Sequence, residues 1–70
     1  MIKNGKLQKG DWIIDNTVSI NDGYGLITNI RLEHADSHFE TFIDVDFEDC
    51  DTGKWLQSTY TIKEIFNHLT

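Results

Sequence analysis

Five carboxylates fall within nine residues of this 70-residue chain: Asp44, Asp46, Glu48, Asp49 and Asp51, in Ile-Asp-Val-Asp-Phe-Glu-Asp-Cys-Asp from Ile43 to Asp51. Carboxylates at such density can exchange protons, hold a hard cation or present fixed charge to a basic partner. Asp44 and Asp46 would stand about 6.7 Å apart along one strand face, but glycosidase-type chemistry also needs a cleft that excludes water, and a chain this short has little room for one. Asp44-x-Asp46-x-Glu48 starts like a calcium loop, yet Asp49 stands where that loop requires glycine, and the flanks alternate as strands rather than helices. A casual divalent site on the Asp49 to Asp51 turn is the metal reading left there. His34-x-x-x-His38 with Asp36 resembles half a zinc site that would have to recruit Cys50. Cys50 has no neighbouring base, and neither a phosphate-cradling glycine loop nor a Gly-x-Ser-x-Gly elbow occurs. The expectation is a non-enzymatic protein with no catalytic, cofactor or metal residues.

The elements that must hold these side chains are mostly strands. Ile43, Val45 and Phe47 alternate with Asp44, Asp46 and Glu48, the pattern of a strand with one buried face. Leu26 to Glu33 alternates similarly, with Leu26, Ile30 and Leu32 as its apolar set and Ile27 out of phase. Asp51-Thr52-Gly53 reads as a hairpin turn into a strand over Lys54 to Tyr60. Trp12 to Ile14 reads as another strand, which Val18 and Ile20 extend or follow as a short edge. The period then changes. Thr61-x-x-Glu64 has the form of a capping box, and Ile62, Ile65, Phe66 and Leu69 form one helical stripe that must dock on the sheet. The expectation is a single, mainly β domain: a lead over residues 1–9, four or five antiparallel strands over 10–60 in a small barrel or strongly bent sheet, and a short C-terminal helix over 61–69.

Gly10-Asp11-Trp12-Ile13, followed by Asn21-Asp22-Gly23-Tyr24-Gly25-Leu26-Ile27-x-x-Ile30, resembles the opening of SH3-like small barrels of the KOW and Tudor kind. The resemblance spans roughly residues 10–60 and implies a fold more than a function. Its nucleic-acid-binding members carry basic residues around the turns where this chain carries Asp11, Asp15 and Asp22. Trp12, Tyr24, Trp55 and Tyr60 would line a Tudor-like cage or a peptide groove, or be core; Trp12 and at least one tyrosine read as core, and Tyr24, between two glycines, as exposed.

Charge points to the partner. The chain has 6 basic and 12 acidic residues, a formal charge of -6, and the acid-free lead holds Lys3, Lys6 and Lys9; beyond it 3 basic and 12 acidic residues remain. Such a surface repels phosphate backbones and anionic lipid, and attracts basic proteins. In size, acidity and lack of catalytic motifs the chain is similar to phage-encoded inhibitors that mimic DNA and cover host DNA-binding proteins such as histone-like HU. That similarity implies a basic, HU-like partner and no direct nucleic acid or membrane ligand. Contact would run through Asp44, Asp46, Glu48, Asp49 and Asp51, with Asp22, Tyr24 and Trp55 beside them and Asp15, Glu33, Asp36 and Glu40 as supporting charge. A homodimer would enlarge the small core and suit a symmetric target. The lone cysteine and the lack of a leader or apolar span make a cytoplasmic protein the expectation, in the cytoplasm of a host bacterium if phage-encoded. Two other functions fit the same fold: an adapter binding a peptide in an aromatic groove, and a KOW-like nucleic-acid binder using Lys3, Lys6 and Lys9.

Overall fold

A computed structural model describes residues 7–68. Four strands, β1 (Trp12–Ile14), β2 (Tyr24–Ala35), β3 (His38–Glu48) and β4 (Trp55–Thr61), form one antiparallel sheet in the order β1-β2-β3-β4. A short helix, α1 (Ile62–Ile65), follows β4 directly. Every connection joins sheet neighbours, as expected where tight turns separate short alternating runs. Of the two arrangements the sequence allows, the structure has the open sheet: β1 and β4 are its edges and do not pair with each other.

Alternation in β3 sends Ile43, Val45 and Phe47 inward, all fully buried, with Ile13 from β1, Ile27 from β2, Tyr60 from β4 and Ile65 from α1 around them. The even-numbered residues of β3 take the outer face. Ile27 is out of phase because β2 is bulged: Ile27 pairs with Val45 and Asn29 with Asp44, so Thr28 is the extra residue. The bulge brings both Ile27 and Ile30 to the core side. It leaves Leu26, expected inward, on the outer face opposite Asp46; Leu32, also expected inward, keeps the parity of Ile30 but is 68% exposed because the hairpin runs past the end of β4.

Gly25 pairs with Ile13 where the core is tightest, and a Cβ there would come 2.5 Å from Val45 Cγ1 and 2.6 Å from Phe47 Cε1. Val18 and Ile20 form no strand. Residues Ile20–Gly23 make a 3-10 turn in which Asn21 and Asp22 take left-handed φ values of 54° and 56°, a conformation that Asn and Asp tolerate better than most residues. The capping box is formed: Glu64 N donates to Thr61 Oγ1 and Thr61 N to Glu64 Oε1. The helix is shorter than its sequence stripe and passes into a 3-10 turn over Phe66–His68; Ile65 is buried, Ile62 half-buried and Phe66 exposed. Leu69, Lys3 and Lys6 lie outside the described residues.

Candidate acidic site

The outer face of the sheet separates two carboxylates that the sequence presents alike. Asp44 pairs with Asn29 on β2 and Thr59 on β4, in the middle of the sheet. Arg31, two residues along β2 from Asn29, reaches it with two bonds, Nε to Oδ2 at 3.0 Å and Nη2 to Oδ1 at 3.1 Å, and Thr59 Oγ1 donates to Oδ1 at 2.8 Å. Arg31 Nη1 also holds Glu33 at 2.7 Å. The carboxyl of Asp44 is held below the ordinary Asp range, first by the hydrogen bond from Arg31 and then by that from Thr59. At 9% exposure and with its charge answered, Asp44 is a sheet-internal ion pair, not part of a free acidic row.

Asp46, two residues on, pairs with Leu26 and Gln57 and makes no ion pair among the described residues. Its Oδ1 is covered from solvent without a hydrogen-bond partner. Beyond it the strand gives way to a turn organised by Asp49, whose Oδ1 accepts from Asp51 N at 3.0 Å while Gly53 N donates to Asp49 O at 2.8 Å. Gly53, at φ 73°, supplies the left-handed residue that this closure requires. The turn carries Asp49, Cys50 and Asp51 round to the same side as Asp46 and Glu48.

These groups line a concavity of about 260 Å³ with Trp12, Leu26 and Asn21. Trp12 reaches it because it is opposite Leu26, which is opposite Asp46, so the three share one face. Asn21 belongs to the left-handed turn, whose geometry is held by Asn21 Nδ2 donating to Tyr24 O at 3.2 Å and by Asp15 N donating to Gly23 O at 2.9 Å. Among the described residues none of Asp46, Glu48, Asp49 and Asp51 makes an ion pair, although Lys54 follows the turn directly. The site therefore combines an aromatic wall with four carboxylates that have no ion-pair partner among the described residues, one of which, Asp49, also accepts backbone N–H groups of its own turn.

The other expected residues are placed elsewhere. Tyr24 and Trp55 are exposed on the outer face, opposite Ile14 and Glu48 respectively, and neither lines the concavity; Asp22 is exposed on the turn beside it. Trp12, expected in the core, is 44% exposed, and the buried aromatic alcohol is Tyr60. Asp15 lies inside the fold instead of lending surface charge: Tyr60 Oη donates to its Oδ2 at 2.5 Å, and Thr17 donates twice to Oδ1. Burial, then the Asp15 hydrogen bond, pushes the Tyr60 phenol well above its ordinary value. His34 and His38 flank the β2–β3 hairpin turn rather than one side of a helical turn, with His34 edge-on to Phe39 and His38 Nε2 3.5 Å from Glu40. Among the described residues no three His, Cys, Asp or Glu side chains are grouped to hold a metal ion, and no helix is long and apolar enough to cross a membrane. Trp12, Leu26, Asn21 and Cys50 complete the site without having been assigned to it from sequence; Trp-Ile-Ile alternation, which sends Trp12 and Ile14 to one face and Ile13 to the other, was the available signal for the first. No protein family, curated protein or solved structure matches this chain.

Proposed function

We propose that this protein is a non-enzymatic binder of a basic protein surface, one that normally holds DNA, as on a histone-like HU partner, and that it blocks that surface by offering carboxylates in place of phosphates. The observation that carries the reading is the concavity itself: Asp46, Glu48, Asp49 and Asp51 around the Trp12 wall, with no cation answering them among the described residues. Its volume of about 260 Å³ falls below the roughly 300–1,000 Å³ typical of small-molecule sites and suits one inserted side chain. A lysine or arginine from the partner would gain charge-assisted hydrogen bonds from the acids and a cation–π contact with the indole. The contact is thus narrower than a row of five carboxylates: Asp44 serves the sheet, while Asp46 to Asp51 face the partner. Action in a reducing cytoplasm agrees with the exposed, unpaired Cys50.

The test is binding to purified HU at increasing salt, beside labelled duplex DNA and single-stranded RNA. Expected is protein binding that weakens steeply with salt, is displaced by DNA competing for HU, and is lost on combined Glu48→Gln, Asp49→Asn and Asp51→Asn substitution. Direct binding of DNA or RNA would refute the reading in favour of a KOW-like nucleic-acid binder. Salt-insensitive peptide binding lost on Tyr24 or Trp55 substitution would refute it in favour of an adapter.

A further inference from the structure

The sheet has three stretches of unpaired edge, and they are not protected alike. β1 is only three residues long, too short to template another strand. Beyond β1, the free side of β2 carries a bulge at Thr28 and the charged pair Arg31 and Glu33, two devices that discourage pairing. β4 has none. Its sequence, Trp-Leu-Gln-Ser-Thr-Tyr-Thr, contains no charge, proline or glycine, and its register against β3 runs unbroken from Trp55↔Glu48 to Thr61↔Phe42. Among the described residues no backbone hydrogen bond from outside the sheet reaches residues 55–59, and Trp55, Leu56, Gln57 and Thr59 are exposed.

We propose that β4 is a self-docking edge on which a second copy of this chain adds its own β4 antiparallel across a two-fold axis near Gln57, joining two four-stranded sheets into one of eight strands. The occupant follows from charge. On a chain of net charge -6 a second copy is repelled over most of the surface, but β4 itself is neutral, so the strand-to-strand contact sets no charged side chains against one another, and the nearest carboxylates, Asp46 and Glu48, stand one strand back on β3. A cationic partner, by contrast, finds no carboxylate on this strand. An antiparallel pairing of identical strands is self-complementary and closes after two copies, which gives a dimer and not a fibre. The axis stands perpendicular to the sheet, so the outer faces of both copies lie on the same side. This inference is independent of what the acidic concavity binds.

Sedimentation of the full chain from micromolar to millimolar concentration tests it, with Gln57→Lys and Gln57→Glu as the perturbations. Gln57 is exposed and opposite Asp46 on β3, which partly answers the lysine and adds to the glutamate, and each change places two like charges nearly opposite one another across the axis. The wild type is expected to dimerise, each variant to raise the dissociation constant at least about tenfold, and an equimolar mixture of the two to restore association. Amide exchange of residues 55–59 should also slow as wild-type concentration passes the dissociation constant, a readout that needs no variant to fold. A wild type monomeric at about 1 mM, a dimer indifferent to both changes, or a mixture that fails to associate would each overturn the proposal.

Discussion

Replacing Asp46 with asparagine should make the protein more stable and a poorer binder at once. Along β3, Asp46 and Glu48 share the outer face about 6.8 Å apart, and neither is in an ion pair among the described residues. Their repulsion is about 0.6 kcal/mol at the dielectric of water and about 2.4 kcal/mol at an effective value of 20. Asp46 is half-buried with one oxygen covered and unpartnered, so the cost lies between these limits, about 1 kcal/mol after screening by salt. The amide keeps the shape and removes the charge, and a domain of this size gains about 4–8 °C in melting temperature for each kcal/mol. Against a basic partner the same change removes a charge-assisted hydrogen bond, about 1.5–3 kcal/mol or about 10- to 150-fold in affinity. Urea unfolding followed by tryptophan fluorescence, with an unchanged slope on denaturant, measures the first effect, and titration with HU the second. A fall in stability would show that the carboxylate serves the fold. Unchanged affinity would show that it serves no contact.

Three further outcomes follow from the core and its polar supports. Gly25→Ala drives a methyl group into Val45 and Phe47 and should lower stability by about 1–3 kcal/mol in denaturant titration. Because the Asp44 carboxyl is held low in the folded state, the unfolded chain binds that proton more readily. Its stabilisation is complete above about pH 4 and disappears as pH falls through the lowered value. Asp44→Asn should therefore destabilise the protein at neutral pH and flatten the acid limb of a melting-temperature profile. The Tyr60 phenol is shifted upward, so its contribution is complete below about pH 10 and is lost as pH rises through the folded value. Tyr60→Phe should cost about 1–3 kcal/mol by losing the bond to Asp15, and should reduce the alkaline fall in stability.

Strands β1, β3 and β4, the turn at Gly53 and the capping box were legible because each depends on local chemistry: alternation, a left-handed glycine, a Thr-x-x-Glu pair. Two of the errors, in β2 and at Trp12, come from register. A single extra residue at Thr28 sends Ile27 inward in place of Leu26 while leaving Ile30 inward, and no local pattern announces a bulge. Trp12 is a surface wall rather than core because it pairs with Leu26 and, through it, with Asp46, a relation between residues over 30 positions apart. The 3-10 turn replaced an expected strand because Gly23 is packed against the Asp15 and Val18 carbonyls, which leaves Asn21 and Asp22 to take the left-handed turn. The acidic site was half legible: its carboxylates are local to the Asp46 to Asp51 segment, whereas its wall comes from β1 and β2.

The pairing of Asp44 with Arg31 is an internal control for what the remaining acids do. Two carboxylates that each stand between apolar residues in sequence, on the same face of the same strand, meet different fates: one is clamped by a guanidinium and a hydroxyl, and the other faces Leu26 and Gln57 with an oxygen left unmatched. Were the acids there only for solubility, an exposed loop such as the one at Asp36 would carry them without the cost of half-burying one opposite Leu26. Were they structural, the fold that supplies Arg31 to Asp44 would be expected to supply Lys54 to Asp46 or Glu48, and among the described residues it does not. Charge held unanswered on a rigid sheet is a standing cost to stability that a cation from outside would offset. A lysine placed at Leu26, opposite Asp46, separates the two accounts: an internal cation should stabilise the monomer and, by occupying the concavity, abolish binding to HU. Stabilisation with binding intact would mean that the partner engages some other surface.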